Sequence, residues 1–363
     1  MAVNSHLRSS AVLLLGAGVS APLGKKMMGD FVTHLSMVQG INTSQLFQAI
    51  AAKKRDLEFL LQELSDLESK AYIDDLKIAP EGGYPTRLFQ STALEASSLR
   101  NLIEREVFLH YRQFDRTAVK KIKNHLLPLF DAVSSRLGVG EPLVVFTTNY
   151  DPAVEDFAKQ VSTYEVFDGF TYDSRLGESV WSPMAFEKWK PSDKNRDILL
   201  IKLHGSTNWI EHDGRISKMP GPGLMANDDG VSSNVLIYPA QDKVAASDPF
   251  FTAYYLFQHF LKSAECLLSV GYSFRDLDAS TRLRTAMMDN EHLQVGLVDP
   301  NAEDIRETLA EQSIRVVAIP GKYDPTSPHL PSSPSGNVVP KIDAFLEEDI
   351  KRKHIAGLRI AMN

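Results

Sequence analysis

Ala11-Val12-Leu13-Leu14-Leu15-Gly16-Ala17-Gly18-Val19-Ser20 is the stretch on which the fold turns. Five consecutive apolar residues followed by small ones describe a strand buried on both faces. It ends in a tight turn after which Ser20 can open a helix. The same pattern recurs along the chain. After the Gly138-Val139-Gly140 breaker, Leu143 to Phe146 runs into Thr147-Thr148-Asn149-Tyr150-Asp151-Pro152. Ile198 to Leu203 ends at His204-Gly205-Ser206, Cys266 to Val270 at Gly271-Tyr272-Ser273, and Val295 to Val298 at Asp299-Pro300-Asn301. Val235 to Tyr238 and Val316 to Ile319 are further candidate strands. Buried-type strands alternating with helices predict a parallel sheet covered on both faces, whose ligands sit beyond the carboxyl ends of the strands. Every polar cluster just named falls at such an end.

Between about Ile41 and Gly138 the texture is helical, with Leu57, Leu60, Leu61, Leu64 and Leu67 spaced by three and four and no convincing strand. The expected α/β architecture is therefore a Rossmann-like core formed by residues 1–40 and 140–320. A mostly helical insertion occupies 41–139, and 321–363 forms a tail. The tail begins as an extended loop rich in proline and serine between Gly321 and Pro340, and closes in an amphipathic helix of about Lys341 to Met362. The run Lys351-Arg352-Lys353-His354 beside Glu347-Glu348-Asp349 is most simply a solvated face, with a docking surface as the other reading.

The chain has 363 residues, 43% of them hydrophobic and 23% charged, enough to bury a sizeable core. A formal net charge of -7 offers no broad cationic surface, which argues against direct, sequence-specific nucleic-acid binding. Cys266 is the only cysteine, so an internal disulfide and a zinc ribbon built on several thiolates are excluded, and a reducing cytoplasm fits. The early apolar run falls far short of the roughly 20 residues of a membrane span, and no signal peptide precedes it. We expect a soluble cytoplasmic protein without a metal.

Gly16-Ala17-Gly18 with Ser20 suits a phosphate-binding turn, although it is not a full G-x-G-x-x-G and a ligand-free structural turn is the competing reading. Asn149 and Asp151 can bond ribose hydroxyls, a water or a carboxamide; alternatively one of them forms an Asx turn that caps the next helix. His204, directly before Gly205, is placed to act as a base, against the plainer account of a satisfied core histidine. Gly271 and Ser273 suit a phosphate, a ribose or a plain turn. Asp299 and Asn301 suit a ribose hydroxyl, the adenine edge or a helix cap. Tyr254, Tyr255, Phe257 and Phe260 read as the core-packing face of one helix.

Taken together, Gly16-Ala17-Gly18-Val19-Ser20, Thr147-Thr148-Asn149-Tyr150-Asp151, Lys202-Leu203-His204-Gly205-Ser206 and Gly271-Tyr272-Ser273-Phe274-Arg275-Asp276 resemble the sirtuin superfamily in order and spacing. They are most similar to the sirtuin-like domains of bacterial anti-phage defence systems, many of which hydrolyse NAD. The resemblance implies a phosphate cradle at Gly16, Ala17, Gly18 and Ser20, with Asn149 holding the nicotinamide ribose or the attacking water. It makes His204 the catalytic base and puts Asp151 against the nicotinamide carboxamide. Thr148, Gly271, Ser273, Asp299 and Asn301 would then complete the NAD-binding set. Protein-deacylating sirtuins carry two C-x-x-C pairs on zinc and have Gln where this chain has Thr148, and both departures favour water as the acceptor.

The implied activity is that of an NAD+ hydrolase releasing nicotinamide and ADP-ribose, an antiviral effector that depletes NAD. A zinc-less deacylase or ADP-ribosyltransferase, and a non-catalytic NAD or ADP-ribose sensor or assembly subunit, are the alternatives. Such an activity needs restraint, and the roughly 40 residues after the core are too few for a separate sensing domain. We therefore expect a homo-oligomer and a regulatory protein partner, such as an ATPase or another defence-system sensor.

Overall fold

The computed structural model describes residues 7–76, 86–221, 232–237, 247–310, 315–326 and 338–347. Its strands are β1 (Ala11–Leu15), β2 (Leu143–Thr147), β3 (Tyr164–Phe167), β4 (Phe170–Asp173), β5 (Glu178–Trp181), β6 (Arg196–Lys202), β7 (Gly205–His212), β8 (Arg215–Lys218), β9 (Ser232–Leu236), β10 (Cys266–Val270), β11 (Gln294–Asp299) and β12 (Val316–Pro320). Seven of them form one sheet in the order β12-β11-β10-β1-β2-β6-β3, and every pairing in it is parallel. β1, β2 and β10 are buried along their whole length, as apolar runs without alternation require. The expected doubly covered parallel sheet is thus present.

Both faces of the sheet carry helices. On one face Phe257, Phe260, Leu283 and Ile305, from helices Phe250–Ser263, Leu277–Asp289 and Ala302–Ala310, pack on Val12, Leu14 and Val144. On the other, Ile122, Leu126, Leu129 and Phe130 of helix Arg116–Ser134 and Phe157 of helix Ala153–Gln160 pack on Leu13, Leu15 and Val145. Asp115 starts the first of these by accepting from the amides of Thr117 and Ala118, both at 2.8 Å.

Helices Met28–Leu35, Gln45–Ala51, Leu57–Leu76 and Thr86–Tyr111 share a separate apolar cluster, in which Leu57, Leu60, Leu61 and Leu64 are buried as their spacing predicts. Helix Arg116–Ser134, within the stretch 41–139, packs in the sheet's own covering layer, and Met28–Leu35, before that stretch, packs in the separate cluster.

The sequence reading did not anticipate a second sheet, antiparallel, in the order β4-β5-β8-β7-β9. β7 follows β6 after only the Leu203-His204 turn, so a strand and not a helix succeeds His204. The candidate strand at Val235 contributes to this small sheet as β9, with Tyr238 outside the described residues. In the tail, residues 339–347 are helical and bury Ile342 and Leu346 against the second face; the rest of the expected helix, with the Lys351–His354 run, lies outside the described residues.

Candidate active site

β1 lies between β10 and β2, and the chain leaves it in opposite directions along the sheet: toward β6 and β3 on one side, toward β11 and β12 on the other. Loops diverge at such a reversal and open a crevice beyond the strand ends. The register places the loops at one height. Leu15 pairs with Thr147, Thr147 with Lys202, and Leu15 with Val270. Ala17, Asn149, His204 and Tyr272 each lie two residues past these matched positions.

The loops after β1 and β10 touch backbone to backbone. The Gly16 amide donates to the Val270 carbonyl at 2.9 Å, and the Gly18 amide to the Gly271 carbonyl at 2.9 Å. A Cβ on Gly16 would stand 2.4 Å from the Gly271 oxygen, and one on Gly18 would stand 2.6 Å from the Gly271 Cα. Gly271 itself has φ +64°, and its Cβ would lie 2.5 Å from the Gly18 Cα. These glycines let two loops cross, and the amides of Gly16 and Gly18 are engaged in holding the crossing.

Asn149 is anchored by its side chain. Nδ2 donates to the Gly16 carbonyl at 3.0 Å and to Ser20 Oγ at 3.1 Å, while the Asn149 amide donates to Thr147 Oγ1 at 3.0 Å. The neighbouring Thr148 amide donates to the Leu15 carbonyl. Asp151 adopts the Asx turn: its Oδ1 accepts from the Ala153 amide at 3.1 Å at the start of the next helix. Its Oδ2 is buried and has no hydrogen-bond partner among the described residues. Burial pushes the Asp151 carboxyl above its ordinary range, with Lys202 and Ser20 pulling the other way. The capping alternative thus applies to Asp151 and leaves Asn149 facing the crevice.

His204 does not stand alone. Its Nε2 lies 3.1 Å from Asp276 Oδ2, and the Tyr254 hydroxyl donates to that same oxygen at 2.6 Å. Asp276 Oδ1 accepts from the Asp278 amide at 2.8 Å and caps helix Leu277–Asp289. Burial raises the Asp276 carboxyl, but the His204 and Tyr254 contacts and the cap overcome it and hold the group down at about 2. An ionised Asp276 only accepts, so Nε2 is the His204 nitrogen that donates to it.

Asp276 and Tyr254 are the partners of His204 that the sequence does not single out: Asp276 lies in the Gly271–Asp276 stretch without a role of its own. Tyr254 does belong to the core, as its spacing predicts, yet its hydroxyl reaches the histidine's partner. The insertion also reaches the site: Arg275 forms an ion pair with Asp56, and Glu58 lies in the field of Asp276 and His204. Burial, reinforced by Asp56, pushes the Glu58 carboxyl up.

The remaining expected positions lie at the ends of β10 and β11. Ser273 is exposed. Asp299 Oδ1 accepts from the Asn301 amide at 2.9 Å, so this pair forms the turn into helix Ala302–Ala310. Among the described residues no group of three or more His, Cys, Asp or Glu side chains is arranged to hold a metal ion, and no helix is long and apolar enough to cross a membrane.

A doubly covered parallel sheet with polar loops converging where the strand order reverses is a Rossmann-like fold. Residues 143–317, just under half of the chain, match the model of the SIR2-like domain family, so this part of the chain is similar to the sirtuin superfamily. That similarity points to an NAD-dependent activity. Among solved structures, a complex of a Sir2 homologue with NAD is similar at 11% identity and a TM-score of 0.43, covering 96% of this chain and 92% of that one. A Sir2 homologue variant in complex with ADP-ribose is similar at 12% identity and a TM-score of 0.37, covering 95% and 94%. A structure described as the basis for the mechanism and regulation of Sir2 enzymes gives 13% identity and a TM-score of 0.36, covering 94% of each chain. No curated protein matches the chain.

Proposed function

We propose that the protein hydrolyses NAD+ at the nicotinamide glycosidic bond, giving nicotinamide and ADP-ribose. One observation carries this reading: Asn149 and His204 stand two residues past the registered pair Thr147 and Lys202, and His204 is held through Nε2 by Asp276. A group whose only task is to bind needs no histidine fixed in one tautomer. With Nδ2 committed to Gly16 and Ser20, Asn149 offers its Oδ1 to a water or a ribose hydroxyl.

The bond between the ribose anomeric carbon and the nicotinamide nitrogen breaks with its electron pair moving to the nitrogen, which neutralises the positive charge of the ring. Water adds to the oxocarbenium-like carbon, and its proton passes to His204 Nδ1. Asp276 stabilises the imidazolium that forms, and Tyr254 orients Asp276. Positioning and proton transfer of this kind each contribute about 10² to 10⁴ in rate.

Nicotinamide release by the purified full chain tests the reading. Asn149→Ala and His204→Ala are each expected to lower turnover at least about 10²-fold with the fold intact. Near-normal turnover in both variants removes the assignment, and transfer of ADP-ribose or loss of an acyl group on protein, without free ADP-ribose, would replace it with a transferase or deacylase.

The similarity to domains of anti-phage systems extends the proposal to a cytoplasmic effector that depletes NAD under the control of self-assembly or a partner protein. Light scattering combined with turnover, with and without the products of neighbouring genes, tests that extension. A stable monomer working at full rate by itself would remove it.

A further inference from the structure

Lys202 closes β6 with its side chain 1% exposed, beneath the two loops that carry Asn149 and His204. Its Nζ donates to the Asp151 carbonyl at 2.7 Å and to Ser206 Oγ at 3.0 Å, and stands 3.3 Å from Glu155 Oε1. These partners belong to three separate pieces: the loop after β2, the start of β7, and helix Ala153–Gln160. Ser206 in turn donates to the Tyr150 carbonyl at 3.3 Å, so the two loops are cross-linked beside the ammonium group.

The charge is balanced by a buried row. Lys218 of β8 pairs with Asp168 and lies 4.0 Å from Glu155, so anions and cations alternate from the small sheet into the large one. Burial drives the Glu155 carboxyl up, but Lys202 and Lys218 together bring it below its ordinary value. Buried ion pairs of this kind are weak sources of stability compared with apolar side chains of similar volume, whereas the hydrogen bonds from Lys202 to Asp151 and Ser206 fix geometry.

We propose that Lys202 is a positioning residue that sets the Asn149 loop and the His204 turn relative to one another, acting through the Asp151 carbonyl and Ser206 Oγ while Glu155 holds its charge in place. Its effect on rate rests on the proposed hydrolysis. Its effect on the His204 ring does not.

The test records histidine-ring ¹⁵N spectra of the full chain, with His204 assigned by His204→Gln, for the wild type, Lys202→Met and Glu155→Gln, and measures nicotinamide release on the same samples. Lys202→Met is expected to convert His204 from one protonated nitrogen to a mixture of tautomers. Turnover should fall about 10- to 100-fold in kcat, with KM changing less than about 3-fold. Glu155→Gln, which keeps the ammonium group but loosens its hold, should fall between. A folded Lys202→Met with a wild-type ring spectrum and wild-type turnover overturns the proposal. Should Lys202→Met not fold, an unchanged His204 spectrum in Glu155→Gln overturns it equally. If the wild type releases no nicotinamide, the hydrolase reading fails, and the ring spectra alone decide the role of Lys202.

Discussion

Arg275, on the loop after β10, forms an ion pair with Asp56, the residue that opens the long helix Leu57–Leu76 of the insertion. Asp56 Oδ1 also accepts from the Phe59 amide at 3.1 Å, so the same carboxylate caps the helix and ties it to the loop that holds Asp276. The Arg275 side chain is 64% exposed, and a pair this open to water contributes less than about 1 kcal/mol. We predict that Arg275→Ala leaves the unfolding free energy within that margin while speeding amide exchange over residues 57–60. Unchanged exchange there would show that the insertion is held by its apolar contacts alone.

The crossing of the β1 and β10 loops predicts a graded response to added methyl groups. Gly18→Ala and Gly271→Ala would push a Cβ to within 2.6 Å and 2.5 Å of opposing backbone, where nothing can yield without moving a strand end. Each is expected to cost more than about 3 kcal/mol in denaturant titration. Gly24→Ala, with φ +89° and nothing within 4 Å, meets only backbone strain and should cost about 1 kcal/mol. Equal losses at all three positions would mean that the crossing is looser than described.

Acid should weaken the protein through Asp276. Its folded carboxyl sits at about 2 against an ordinary 3.8, so the stabilisation is complete above about pH 4 and is lost as pH falls toward 2. The amount is about 2 kcal/mol. Asp276→Asn keeps a cap but cannot ionise, and its stability should therefore fall less steeply than that of the wild type between pH 4 and pH 2. Parallel curves for the two proteins would contradict the His204 contact.

Metal analysis of protein purified without added metal should find zinc well below one ion per chain. The single thiol, Cys266, is buried in the centre of the sheet and lies in no described cluster of ligands. Stoichiometric zinc would revive the deacylase alternative.

The sheet was legible because its strands are buried on both faces: uninterrupted runs such as Ala11–Leu15 and Cys266–Val270 have no polar face to disguise them. The small antiparallel sheet was not, because β4, β5 and β8 are four-residue strands of mixed polarity, and β7 begins directly after His204, where the alternation of strands and helices predicts a helix. Of the proposed site, Asn149 and His204 are readable from their position at strand ends. Asp276 was hidden by doing two jobs with one carboxylate, since a helix-capping aspartate looks alike in sequence whether or not its second oxygen meets a histidine. Lys202 lay at the end of an apolar run, and only the fold reveals that Glu155 comes round to meet it.

β1 is the first strand made and β10, its neighbour in the sheet, is the tenth. While the chain is being synthesised, one edge of an entirely apolar strand has no partner until residue 266 and those after it have emerged. The nascent protein thus carries this apolar edge unpaired through most of its own translation. The same order of events delays the loop crossing at Gly18 and Gly271, so a ribosome that stalls before β10 releases a fragment with neither the closed crevice nor Asp276.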